Sequence, residues 1–143
     1  IRDFCLSRGL GDVYKRQEKD RLFAEVTLSP EEMHLYDKVY EHITIDAPSP
    51  DLVIYLQAPI EILKERITKR GNINEQYLTL EYLERLNDAY SRFFLDYKDA
   101  PLLIINAADI NLESNEADYE SLVSMIMSNP KGKNFINPQP SII

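Results

Sequence analysis

Residues 48–97 read PSPDLVIYLQAPIEILKERITKRGNINEQYLTLEYLERLNDAYSRFFLDY, and their order decides the fold. Within Asp51 to Gln57 the run LVIYL is too short for a helix and does not alternate. It predicts a strand covered on both faces, as in a parallel sheet. Pro59 opens a helix with Ile60, Leu63 and Ile67 inward and a Glu65 to Lys69 pair outward, and Gly71 closes it. A polar loop from Asn72 to Tyr77 leads to a longer helix, about Leu80 to Tyr97. Its inward face is Leu83, Leu86, Tyr90, Phe93, Phe94 and Tyr97. Tyr90, Phe93 and Phe94 at this spacing read as core rather than as a base-stacking surface. LLIIN, residues 102–106, repeats the buried-strand signal, and a helical crossover between two such strands implies a right-handed parallel connection.

Working outward, Ser29, Pro30 and Glu32 form a helix start: the serine caps, the proline needs no donor in the first turn, and the glutamate completes a capping box. That helix should reach Ile43, with Met33, Tyr36, Val39, Tyr40 and Ile43 as its apolar stripe, and APSP at 47–50 ends it. After the second strand, Ala107 to Ser114 is a loop. Asn115 and Asp118 start a last helix reaching about Ser128, with Tyr119, Leu122, Val123 and Ile126 inward. Beyond Asn129 the chain reads as a polar, proline-rich tail. Two strands cannot shield the apolar faces of four helices, so the sheet is expected to lack members and the domain to be partial.

With 143 residues, 44% of them apolar, the chain suits one domain with a real core. A net charge of −8 argues against a nucleic-acid or anionic-membrane partner, which would need a basic face. No apolar run approaches the roughly 18 residues needed to span a bilayer, and no secretory signal pattern opens the chain, so a cytoplasmic location is expected. Cys5 is the single cysteine, and His34 and His42 stand without nearby cysteines, so no metal pattern is read.

Residues 1–17, IRDFCLSRGLGDVYKRQ, begin without methionine and show no clear period. GDVYKRQ resembles a translated sequencing adapter, so this segment is expected to be foreign and the native pattern to start at Glu18. Four of the 16 basic and two of the 24 acidic residues lie in it, leaving a remainder of net charge −10. Reading SRGLG as a phosphate loop fails, because GxxxxGK[ST] needs Ser or Thr after the lysine and Lys15 is followed by Arg16.

The chemistry centres on Arg66 and Arg70. Four apart on one helix, they share a face and repel by a few tenths of a kcal/mol, roughly. Neither has a carboxylate three or four residues away on that helix, where Ile62, Leu63, Ile67, Lys69 and Asn74 stand. A phosphate would supply the missing charge. The plainer alternative is a solvated basic helix end that complements the dipole.

From Glu18 onward, KDRLFAEVTL, PDLVIYLQAP, ERITKRG, EYLERLNDAYSRFF and PLLIINAADI resemble the deoxynucleoside kinases, especially bacterial deoxyadenosine and deoxyguanosine kinase-like members. The likeness covers roughly the last 110 to 125 residues, in order. It implies an α/β fold, the C-terminal part of a P-loop NTPase sheet of the nucleoside monophosphate kinase type. It also implies a homodimer and transfer of the γ-phosphoryl of ATP, with Mg2+, to a deoxynucleoside 5'-hydroxyl, with a purine favoured. Arg66 and Arg70 would then be catalytic, since an arginine on the transferring group is worth about three to five powers of ten in rate. The resemblance gives Glu75 to the sugar 3'-hydroxyl, Asp20 with Arg21 to the base, and Ala108, Asp109 and Ile110 to the adenine of ATP. Glu75 could instead merely balance Arg70, and Asp20 could cap a helix. Where the family often carries a further arginine, this chain has Asn72. No GxxxxGK[ST] follows Glu18, so the chain alone is expected to show no micromolar binding of ATP or deoxyadenosine and to be inactive. Two other classes stay open: another P-loop kinase such as thymidylate kinase, and a non-catalytic helical interaction module.

Overall fold

The computed structural model describes residues 3–6, 11–43, 50–71, 77–112 and 115–137, with side chains from Lys19 onward. Its elements are β1 (Asp3–Leu6), α1 (Gly11–Thr27), α2 (Pro30–Ile43), β2 (Leu52–Gln57), α3 (Ile60–Arg70), α4 (Leu80–Asp96), β3 (Leu102–Asn106), α5 (Glu116–Met127) and β4 (Lys133–Ile136). The sheet runs β1-β2-β3-β4. β2 and β3 pair in parallel with Val53 opposite Leu102, and β3 and β4 in parallel with Leu102 opposite Lys133. β1 lies antiparallel on the other edge of β2. The α/β class with a parallel sheet flanked by helices is as the sequence predicts.

Both strand runs are apolar throughout because each feeds two cores. Val53, Tyr55, Leu102 and Ile104 pack against Leu22 and Val26 of α1 and Leu86, Ala89, Tyr90 and Phe94 of α4. Leu52, Ile54, Leu103 and Ile105 face the other way, against Leu122, Met125 and Ile126 of α5. The period-2 pleat sends neighbours to opposite sides, so a strand covered on both needs every residue apolar. Tyr90 is 1% and Phe94 4% exposed, which makes the aromatic face of α4 core.

The caps hold as read. Ser29 N–H donates to Glu32 Oε2 at 2.9 Å and Glu32 N–H to Ser29 Oγ at 3.3 Å, closing the capping box of α2. Asn115 Oδ1 accepts from Ala117 and Asp118 N–H at α5, and at α4 Thr79, a cap that the sequence reading did not name, accepts from Tyr82 N–H through its Oγ1. Gly71, at φ +65°, ends α3 in the left-handed region.

Four features depart from the sequence reading. Residues 1–17, read without a period, contribute β1 and the first turns of α1; backbone pairing at an open edge needs no apolar pattern, and α1 has almost no amphipathic asymmetry. The polar stretch after Asn129 contains β4, which pairs with β3 although only alternate residues are half-buried. Tyr119 and Val123 are exposed, at 55% and 38%, because α5 turns Leu122, Met125 and Ile126 to the sheet instead. Val39 of α2 is also exposed, as is Leu35, while the side chain of Ile43 lies outside the described residues. No helix among the described residues is long and apolar enough to cross a membrane.

Candidate active site at the carboxyl edge of the sheet

In open α/β sheets, ligands bind beyond the carboxyl ends of the parallel strands. Here β2 and β3 end side by side, with Ala107 N–H donating to Gln57 O at 2.7 Å. From that edge the chain leaves β2 through Ala58 and Pro59 into α3, and leaves β3 through the loop 107–111. Leu63 is the one buried residue of α3, which rests on α4 and carries its polar residues outward.

Arg66 spans the two exits. Its Nη2 donates to the carbonyls of Ala107 (2.7 Å), Ala108 (3.1 Å) and Ile110 (3.2 Å). Ala108 N–H donates to Asn106 Oδ1 at 3.1 Å, an Asx turn that bends the chain as it leaves the strand. Asn111 N–H donates to Asp118 Oδ2 at 3.0 Å, tying the far end of the loop to α5. Beside the loop lies a cavity of about 310 Å³, lined by Leu56, Ile105 and Ile136 at the strand ends, by Ile110, and by Leu122 and Met125 of α5. Arg66 forms no ion pair among the described residues, so its full charge stands at this edge.

The structure therefore brings Arg66 together with Ala108 and Ile110, and places Asp109 exposed between them. Arg70 is exposed on the last turn of α3. Glu75 lies outside the described residues. Asp20 and Arg21 are elsewhere, on α1. Arg21 pairs with Glu25 at 3.6 Å and Asp37 at 3.4 Å, and its guanidinium lies 5.8 Å from the Tyr40 ring centroid. All these partners belong to α1 and α2, so Arg21 does not join the Arg66 group. Asp20 is exposed; after partial burial and Tyr40, its charge is the next cause that lifts the Tyr36 phenol above its ordinary pKa. Sequence reasoning missed Arg85, whose Nη2 donates to Val26 O at 2.8 Å and closes the end of α1. An arginine between Leu83 and Leu86, both buried, was the available signal.

Among the described residues no group of three or more His, Cys, Asp or Glu could hold a metal ion.

Comparison with known proteins places the chain. The family model for deoxynucleoside kinase matches residues 13–129. The chain belongs to the deoxynucleoside kinase family. The match begins inside α1 and ends at Asn129, just after α5. Deoxyguanosine kinase of Bacillus subtilis is 31% identical over 112 residues, covering 76% of this chain and 54% of that protein. Deoxyadenosine kinase of Dictyostelium discoideum is 29% identical over 125 residues, covering 83% of this chain and 49% of that protein. A solved deoxyadenosine kinase from M. mycoides, with bound dCTP, superposes with a TM-score of 0.67 at 24% identity, covering 77% of this chain and 60% of that one. The chain spans about half the length of the deoxynucleoside kinases it matches in sequence.

Proposed function

We propose that this chain is part of a deoxynucleoside kinase that transfers the γ-phosphoryl of ATP to the 5'-hydroxyl of a deoxynucleoside, a purine by preference. The new bond joins the 5'-oxygen to the γ-phosphorus, the bond from that phosphorus to the β,γ-bridging oxygen breaks, and ADP leaves. The hydroxyl proton passes to a general base of the parent protein. The observation that supports the reading best is Arg66, set at the carboxyl edge of a parallel sheet within a match to the family over residues 13–129.

Guanidinium suits the role, since it stays charged and its planar fork can hold two phosphate oxygens. Arg66 and Arg70 would stabilise the transferring group, and Glu75 the sugar 3'-hydroxyl. Ala108, Asp109 and Ile110 would meet the adenine through backbone groups, and Asp20 with Arg21 the base. Mg2+ would arrive with ATP. The parent acts in the cytoplasm as a homodimer, and the exposed Leu35 (64%) and Val39 (49%) of α2 favour that helix as a contact face.

The test is a transfer assay on the full-length parent with γ-labelled ATP, comparing deoxyadenosine, deoxyguanosine, deoxycytidine and thymidine with dAMP and dTMP as acceptors. Labelled monophosphates from the purine nucleosides are expected. Transfer confined to the nucleotide acceptors would replace the reading with a monophosphate kinase.

A further inference from the structure

Arg66 commits one edge of its guanidinium to its own chain. Nη2 carries two N–H bonds and faces three carbonyl oxygens, those of Ala107, Ala108 and Ile110, at 2.7 to 3.2 Å. At least one hydrogen is therefore shared, and three residues within one four-residue stretch of the loop point their carbonyls at one nitrogen on α3. Loop carbonyls ordinarily face water. Here they converge because a cation sits where they meet.

The rest of the loop is tied from other directions, Ala108 N–H to Asn106 and Asn111 N–H to Asp118. Arg66 supplies the only one of these restraints that comes from α3. Ile110 is held by its carbonyl while its side chain lines the cavity with Leu56 and Ile105, so the arginine also fixes a wall of that space. The carbonyl bonds leave the charge uncompensated. Nε and Nη1, with three N–H bonds between them, make no hydrogen bond among the described residues.

We propose that Arg66 is a positioning residue for the β3–α5 loop: its Nη2 edge holds the loop carbonyls while its Nε and Nη1 edge receives an anion. One rigid planar group then couples the two events, because a phosphate that pulls or rotates the guanidinium moves three carbonyls with it. Only the identity of the anion, a nucleotide phosphate, rests on the proposed kinase reading.

Nuclear magnetic resonance on this chain tests the strap. In the unsubstituted chain, a scalar coupling across the hydrogen bond from Arg66 Nη2 to the Ala107 carbonyl carbon is expected, and its absence overturns the proposal even if every variant misfolds. In R66A, amide exchange at Ala108 and Asn111 should speed up about tenfold, the scale of one lost charge-assisted bond. Amides of Leu102–Asn106 should be unchanged. R66K should fall between, since an ammonium reaches the carbonyls without a planar fork. Unchanged exchange in a folded R66A overturns the strap. Millimolar sodium tripolyphosphate should move the Arg66 Nε–H resonance and the loop amides with one midpoint; loop amides that do not follow, or no response at all, overturn the coupling. None of these readouts involves a nucleoside or phosphoryl transfer, so failure here leaves the proposed reaction standing, and the reverse.

Discussion

Replacing Phe94 by alanine separates a packed aromatic core from a base-stacking surface. The Phe94 ring is 4% exposed and lies 4.5 Å from the Tyr55 centroid, 5.1 Å from Phe93, 5.9 Å from Tyr97 and 6.3 Å from Tyr90. Truncating a buried phenylalanine costs about 3–5 kcal/mol, which includes the lost ring contacts at about 0.5–1.5 kcal/mol per aromatic pair. With a loss of about 4 kcal/mol and a urea dependence of about 2 kcal/mol per molar, the unfolding midpoint should fall by about 2 M. Total stability is about 5–15 kcal/mol for ordinary domains, so F94A could leave little folded chain. F94L should cost no more than about 1.5 kcal/mol and lower the midpoint by under about 1 M, keeping the series measurable. Urea unfolding followed by far-ultraviolet circular dichroism reads both. A midpoint for F94A within about 0.5 M of the unsubstituted chain would refute the core assignment. In the full-length parent, a stacking role would appear instead as weakened nucleoside binding with stability intact.

Two further substitutions probe the helix ends. N115A removes the acceptor for Ala117 and Asp118 N–H and should cost about 1 kcal/mol. Because α5 has no fully buried residue, the loss should appear as faster amide exchange confined to its first turns. G71A should destabilise by about 1–2 kcal/mol, since φ is +65° and an added Cβ meets nothing within 4 Å, leaving only the backbone penalty. Thermal unfolding measures it; a neutral G71A would mean that the α3 terminus does not hold the left-handed turn in solution.

The parts legible in the sequence are those whose causes are local. LVIYL and LLIIN declare two-sided burial by themselves, and Ser29, Asn115 and Gly71 mark helix ends within a turn of where they act. β1 and β4 are edge strands held by a ladder to distant residues, and a backbone ladder leaves no trace in side-chain pattern. α5 was legible as a helix but not in its orientation. Tyr119, Leu122, Val123, Met125, Ile126 and Met127 surround most of its axis, so periodicity could not choose the face that the sheet selects. Arg66 could be set on one helix face with Arg70 from spacing alone. Its contact with the 107–110 loop could not, because carbonyl acceptors are the same on every residue.

The sign of the charge at this edge strengthens the reading of α3. The chain carries −8 overall, so an approaching nucleotide meets net repulsion at long range. α3 reverses that locally, with Lys64, Arg66, Lys69 and Arg70 against Glu61 and Glu65. A structural strap alone would not need this, since an asparagine or glutamine could donate to a carbonyl without importing charge. Nor does the helix dipole account for Arg66, which stands a full turn before the C-terminal residue, where the dipole is weakening. What remains is a cation oriented by neutral acceptors and without a carboxylate partner among the described residues, at the end of the sheet where parallel α/β folds gather their ligands. That arrangement preserves charge while removing rotational freedom, which is what stabilising a transferring phosphoryl group demands.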